Sequence, residues 1–333
     1  MNAPKNEVQQ ITVADDDDGQ RLDRWLKKAM PGVPYALLQK LMRTGQVRVN
    51  GKRAKAETRL ESGQTVRLPP FDAKAGDKTG NHFTDKAGDL KFLESLIIYD
   101  DGDIVALNKP YGLAVQGGSG ITRHIDGLLE LMISKKGVKP RLVHRLDRDT
   151  SGVLLIARSL KMAQAMGAMF SGREIRKYYW ALTAPVPEVM DGTIRMALIK
   201  GDGRDKDIMV VDEIDGKKAT TEFRVIERAG RKAAFVAFWP RTGRTHQIRV
   251  HASVGLKCPI YGDEKYGGEA HELDDMNLNG RLHLHARRII FPHPVTGKLV
   301  DITAPLPDDM RKTWKAFDFN ANLKDDPFEN IEL

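Results

Sequence analysis

The stretch PPFDAKAGDKTGNHFTDKAG, residues 69–88, constrains this chain more than any other. It has no hydrophobic period and is rich in Gly, Lys and Asp, so it reads as a linker rather than as part of a core. A chain of 333 residues divided there is long enough for two domains. The expected boundaries are a small module at 19–70, a linker at 71–88, a large domain at 89–318 and an acidic tail at 319–333, DDPFENIEL being too polar to pack.

The small module carries the charge. Residues 20–70 hold twelve Lys/Arg against three Asp/Glu, a net +9, while the whole chain is +8. Within it, RLDRWLKKAM spaces Leu22, Trp25, Leu26 and Ala29 along one face of a helix. PYALLQKLMRTG does the same with Leu37, Leu38, Leu41 and Met42, and stops at Gly45, where a left-handed cap belongs. VRVNGKRA alternates Val47 and Val49 with basic residues and turns at Asn50-Gly51, the pair a type I′ hairpin favours; ESGQTVRLP supplies a last strand. Leucines and valines make the core of this helix-helix-hairpin unit. Arg21, Arg24, Lys40, Arg43, Arg48, Lys52 and Arg53 fall on its polar faces, and an accessible basic surface suits a polyanionic partner.

After the linker the elements mix without a regular βαβ beat. LIIYDDGDIVALNKP pairs two β-rich runs across Asp101-Gly102, VLLIA is a short buried strand, SLKMAQAMGAMF a helix and REIRKYYWALT a strand. TEFRVIER and AAFVAFWP form a hairpin, THQIRVHASVG is helical, and RRIIFPHPVTGKLVDITAP closes with two strands. The expected fold is α+β, with helices flanking a mixed, largely antiparallel sheet and a central cleft.

Several chemistries are disfavoured. A lone Cys258 forms no internal disulfide, which fits a reducing cytoplasm. The amino terminus lacks the apolar segment of a signal peptide, and no stretch reaches the roughly 18 apolar residues of a membrane span. GLAVQGGS has the glycines of a phosphate loop but Gly118 where its lysine belongs, so those glycines serve a loop or a close backbone approach. His283 and His285 in HLH lack a metal-site spacing, and no GxSxG frames Ser151 or Ser253. The expectation is an enzyme, if it is one, without metal or cofactor, and a monomer.

Carboxylates and arginines remain. In HRLDRDTSG, residues 144–152, Asp149, Thr150 and Ser151 are turn formers and Gly152 permits a sharp bend. Asp147 has no such explanation; Arg145 and Arg148 flank it and favour an ionised carboxylate. PRTGRTHQIRVH places Arg241, Arg244, Arg249 and His246 within twelve residues. If Thr245 to Val254 is helical, Arg249 lies on a different face from His246, and one arginine of the group reaches a catalytic carboxylate. In KYYW, strand alternation puts Tyr178 and Trp180 on one face and Lys177 and Tyr179 on the other, one tyrosine in the core and one free to stack on a base.

These segments together resemble the Rlu-type pseudouridine synthases of large-subunit ribosomal RNA. HRLDRDTSG resembles the catalytic motif of that family, LNKPYGLAVQGG its first motif, RKYYWAL its K-x-Y segment, and TGRTHQIRVH with PIYGDEKYG its third. The basic module resembles an S-four type RNA-binding domain, and the likeness runs from about Gln20 to Pro307. The module and the GGSG loop are most similar to the subgroup that acts on several uridines.

The resemblance implies Asp147 as the catalytic aspartate, Tyr179 as the K-x-Y tyrosine and Arg249 as the motif arginine that keeps Asp147 anionic. Arg145 takes the place of the flipped nucleotide, and Lys109, Lys177, Arg244 and His246 serve on the substrate side. No cofactor is implied, since uridine isomerisation adds and removes nothing. A non-catalytic ribosome-assembly factor that binds ribosomal RNA is the alternative, and it has no evident need of Asp147, Tyr179 and Arg249 together.

Overall fold

In a computed structural model the described residues are 8–31, 33, 35–70, 85–118, 121–134, 137–203, 208–267, 273 and 278–331. The chain divides into two units, residues 1–84 and 85–333. Most of the expected linker lies outside the described residues, as do Ser119 and Gly120 of the GGSG loop.

In the small unit β1 (Gln9–Thr12) precedes α1 (Leu22–Ala29) and α2 (Tyr35–Arg43), followed by β2 (Arg48–Val49), β3 (Lys52–Arg53) and β4 (Thr65–Leu68). The sheet order is β1-β4-β2-β3. Asn50 and Gly51 have φ of 46° and 76°, the signs a type I′ turn requires, and Asn50 accepts the Thr65 N–H through its side chain. Leu22, Trp25 and Leu26 pack against Leu38, Leu41, Val47 and the strand residues Val49, Val66 and Leu68. Leu37, expected on that apolar face, is exposed instead. The core is filled from Leu38 and Leu41, one position round the helix. β1 carries only Ile11 as an aliphatic residue in QQIT and gave no readable period.

The large unit begins earlier than expected. Asp85 caps α3 (Lys86–Ser95) by accepting the Gly88 N–H, so 86–88 belong to this unit and not to a linker. β5 (Ile97–Asp100) and β6 (Ile104–Lys109) form the expected hairpin, and the short α4 (Ile125–Leu128) follows. β7 (Arg141–Leu142) and the wholly buried β8 (Ser151–Ala157) bracket the HRLDRDTSG loop. α5 (Leu160–Gly172) leads into β9 (Arg176–Thr183), β10 (Asp191–Lys200), β11 (Met209–Val211), β12 (Lys217–Ala229) and β13 (Ala233–Pro240). Then come α6 (Gln247–Val250), β14 (Leu284–Pro292), β15 (Leu299–Thr303) and α7 (Asp308–Ala316).

The strands form one sheet in the order β11-β10-β12-β13-β9-β14-β8-β6-β5, with β15 on β14 and β7 on β8. Every pair is antiparallel except β14 with β8. That parallel junction explains Gly152: it sits at φ 111°, and a Cβ there would lie 2.2 Å from the Ala286 carbonyl oxygen of β14. The requirement comes from a neighbouring strand as well as from the bend.

The expected tail is packed. Phe319 and Phe328 are buried with Tyr178, Trp239 and Trp314, and Asp326 accepts the Tyr178 hydroxyl at 2.7 Å. DDPFENIEL is acidic overall, yet a single phenylalanine in it reaches the core. Among the described residues no helix is long and apolar enough to cross a membrane.

Candidate active site

Three segments distant in sequence converge on a cavity of about 540 Å³, large enough for a nucleoside-sized ligand. The loop before β8 contributes Arg145, Asp147 and Thr150; α5 and β9 contribute Phe170, Arg173, Lys177 and Tyr179; β13 and the loop into α6 contribute Trp239, Arg241, Arg244, His246 and Arg249. β9 resolves its tyrosines by alternation: Tyr178 is 2% exposed in the core, and Tyr179 faces the cavity with Lys177. Burial and the nearby Asp147 charge push the Tyr179 hydroxyl well above its ordinary pKa of 10. It is therefore a neutral O–H donor.

Asp147 is half-buried, its side chain 29% exposed. Among the described residues no donor lies within hydrogen-bond distance of its carboxylate; the His246 Nε2 stands 3.9 Å away. Neither expected arginine pairs with it. Arg148 binds the neighbouring Asp149 at 3.0 Å, because both point outward from the same turn. Arg249, the third residue of the buried α6, donates from Nε to Asp263 at 2.8 Å and from its Nη2 as well. Its positive charge still acts on Asp147 across the cavity, and Asp147 in turn helps raise the Arg249 pKa. The carboxylate thus keeps its lone pairs open while lying in a positive field.

Two further expectations change. Helix α6 begins at Gln247, and His246 precedes it at φ 51°, a left-handed conformation outside the helix. Helical spacing therefore does not govern His246, and it shares the cavity with Arg249 rather than facing elsewhere. Lys109 is not a cavity residue. It is 0% exposed, and its Nζ donates to the carbonyls of Pro110, Leu113 and Arg148 at 2.9 Å each. Burial draws its pKa down to about 7, while three carbonyl acceptors match the three protons of the ammonium form. By holding the Arg148 carbonyl, it fixes the residue after Asp147.

Lys177 is also desolvated, its pKa lowered to about 8, with Nζ 5.7 Å from the centre of the Phe170 ring. Arg145 and Arg244 stand exposed at the rim, Arg244 donating to the Lys218 carbonyl at 3.2 Å. Arg241 lies over the Trp239 ring at 4.1 Å. His283 and His285 are satisfied core histidines: His283 meets the Arg281 carbonyl and Thr313, and His285 meets Ser151 and the Ala304 carbonyl.

In the small unit Arg24, Lys40, Arg43, Arg48, Lys52 and Arg53 are exposed, while Arg21 is occupied by Asp23 at 2.8 Å. Register places Arg48 directly opposite both Arg53 and Arg67.

Comparison with known proteins settles the family. Residues 103–254 match RNA pseudouridylate synthase, and residues 20–66 match the S4 domain. Ribosomal large subunit pseudouridine synthase C of Vibrio cholerae is 36% identical over 312 residues, 92% of this chain and 96% of that protein. The chain belongs to the RNA pseudouridylate synthase family. The Yersinia pestis protein of the same name is 36% identical to this synthase over 322 residues, 95% of this chain and 98% of that one. The human RNA Pseudouridylate Synthase Domain Containing 4 structure matches with a TM-score of 0.58 and 29% identity, covering 69% of this chain and 95% of that chain.

The synthase also uses residues that sequence patterns did not single out. Asp263 is fully buried and accepts from Arg249 and from the Lys265 and Tyr266 N–H groups. Gln247 clamps the loop before α6: its Oε1 accepts from Thr242 and the Arg244 N–H, and its Nε2 donates to the Thr220 carbonyl and the Thr221 hydroxyl. A carboxylate after QIRVH was visible in PIYGDEKYG, but nothing in the spacing marked it as the partner of Arg249.

Proposed function

We propose that this synthase isomerises uridines in large-subunit ribosomal RNA, with Asp147 acting at the ribose of an extruded nucleotide. The observation that carries the proposal is the Asp147 carboxylate, open for reaction in a cation-lined cavity, on a loop whose next carbonyl, that of Arg148, is held by Lys109. The relatives' names, at this identity over nearly their whole length, support the choice of RNA.

Isomerisation breaks the bond between N1 and C1′, turns the base, and joins C5 to C1′. N1 then carries a proton and C5 has lost one, so no electrons leave the system. The uridine must first leave its stack, at a cost of a few kcal/mol, and needs a new surface. Tyr179 supplies it, and exposed Arg145 takes the vacated position. Asp147 acts either by attacking C1′ or by removing the C2′ proton.

The S4 unit adds phosphate contacts. Arg53, Arg48 and Arg67 form a row across three strands, and like charges set opposite one another destabilise a bare sheet. A phosphate backbone laid along the row offsets that repulsion without reading sequence. The lone Cys258 is buried, in keeping with a reducing cytoplasm.

The proposal is tested by mapping pseudouridines in ribosomal RNA from cells with the gene, without it, and with Asp147→Asn in its place. Large-subunit sites present only with the wild-type gene are expected. Sites unchanged by deletion would reject the RNA assignment, and sites restored by Asp147→Asn would remove Asp147 from the reaction.

A further inference from the structure

His246 and Tyr266 take no step in the chemistry above, yet they connect edge strand β11 to Asp147. The Met209 N–H of β11 donates to the Tyr266 hydroxyl oxygen at 2.7 Å. The same oxygen lies 2.7 Å from His246 Nδ1. A tyrosine hydroxyl has one proton to give, and His246 Nδ1 is the acceptor in reach. If Nδ1 held the proton instead, the half-buried hydroxyl would receive two N–H groups and, among the described residues, its own proton would have no protein acceptor. Nδ1 is therefore the bare nitrogen, and the neutral ring carries its proton on Nε2, the atom 3.9 Å from Asp147.

The surroundings hold this state. Tyr266 is anchored through its backbone N–H on Asp263, and the Arg249 guanidinium lies over its ring at 5.1 Å. Burial, with Arg249 and Lys265 nearby, disfavours the imidazolium; Asp147 and Asp263 favour it, and the balance leaves the His246 pKa below its ordinary value.

We propose that Tyr266 is a positioning residue that fixes the Nε2–H tautomer of His246, and that this N–H steers one Asp147 oxygen so that the other faces the ribose. The proposal rests on Asp147 being the reacting carboxylate.

The test combines single-turnover tritium release from C5-labelled RNA with nitrogen-15 spectra of His246 in the free protein, using Tyr266→Phe, His246→Gln, His246→Ala and Asp147→Asn. By analogy with other residues that hold a catalytic group in place, Tyr266→Phe should lose the single-turnover rate constant on the order of ten-fold with little change in the half-saturating concentration. His246→Ala should lose more, and His246→Gln, whose amide donates from the Nε2 position, should recover most of that loss. In the spectra, wild-type Nδ1 should be bare and Nε2 protonated, and Tyr266→Phe should show mixed tautomers and protonation at higher pH. Equal rates for Gln and Ala, or a Tyr266→Phe enzyme with wild-type rate and a single tautomer, would overturn the proposal. Continued tritium release by Asp147→Asn would instead remove the catalytic reading beneath it.

Discussion

Arg249 is paired with Asp263, and that pair is 5% and 0% exposed at the side chains. Taking one member from a buried pair leaves an uncompensated charge, which costs more than the pair ever contributed. Asp263→Asn should therefore destabilise the large unit by about 3 kcal/mol, read as a lower urea midpoint, and Arg249→Lys should not restore a fork that needs two parallel donors. An unchanged midpoint in Asp263→Asn would show that the Arg249 charge is neutralised elsewhere. The family resemblance set Arg249 beside Asp147; its direct hydrogen-bond partner is Asp263, and only its charge reaches Asp147. Proximity in HRLDRDTSG made Asp147 the obvious acidic candidate, whereas the chain turns at Gly262 to deliver Asp263 from fourteen residues downstream. Asp147 stood out in the sequence because turn chemistry explained its neighbours and left it over, and the fold places it in the cavity lining. Its separation from Arg148 was not, since the Arg148 rotamer follows Asp149.

At the scale of elements, period-2 alternation sorted β9 correctly, with Lys177 and Tyr179 toward the cavity and Tyr178 and Trp180 toward the core. The same reasoning failed where an element was short or its partner distant. β1 has four residues and one aliphatic side chain, and β11 has three residues. The carboxy-terminal segment has no period, and its place is set by Phe328 against Tyr178 and Trp239, and by Asp326 beneath Tyr178. Because Tyr178 adjoins Tyr179 on one strand, this segment supports the wall of the cavity. Phe328, 1% exposed, leaves a large void when truncated, so Phe328→Ala should cost about 3–5 kcal/mol in thermal or urea unfolding. A loss below about 0.5 kcal/mol, as at a surface site, would contradict the packing of this segment.

At the scale of the whole molecule, two units were legible because 69–88 carries no hydrophobic period and the charge changes across it, although 86–88 open helix α3. The long sheet was not, because strand order is fixed by pairings such as β14 with β8, which join residues more than a hundred positions apart. That interior is acid-sensitive. Burial lowers His144, His251, His283 and His285 from 6.5 to about 3, 4, 4 and 3. Below pH 6.5 the unfolded chain binds protons that these folded histidines refuse, so their stabilising effect, whole above 6.5, is lost as acid approaches their folded values. The urea midpoint of the large unit should fall between pH 7 and pH 5, and a flat profile there would mean the histidines are not held neutral. The central claim is narrower: one open carboxylate performs the isomerisation. It is tested most directly by single-turnover tritium release from C5-labelled uridine RNA with the wild-type and Asp147→Asn proteins, each shown to bind RNA equally. Loss of at least about a thousand-fold in the variant is expected for a group that acts at the reacting atoms, and release within a few-fold of wild type would contradict the account.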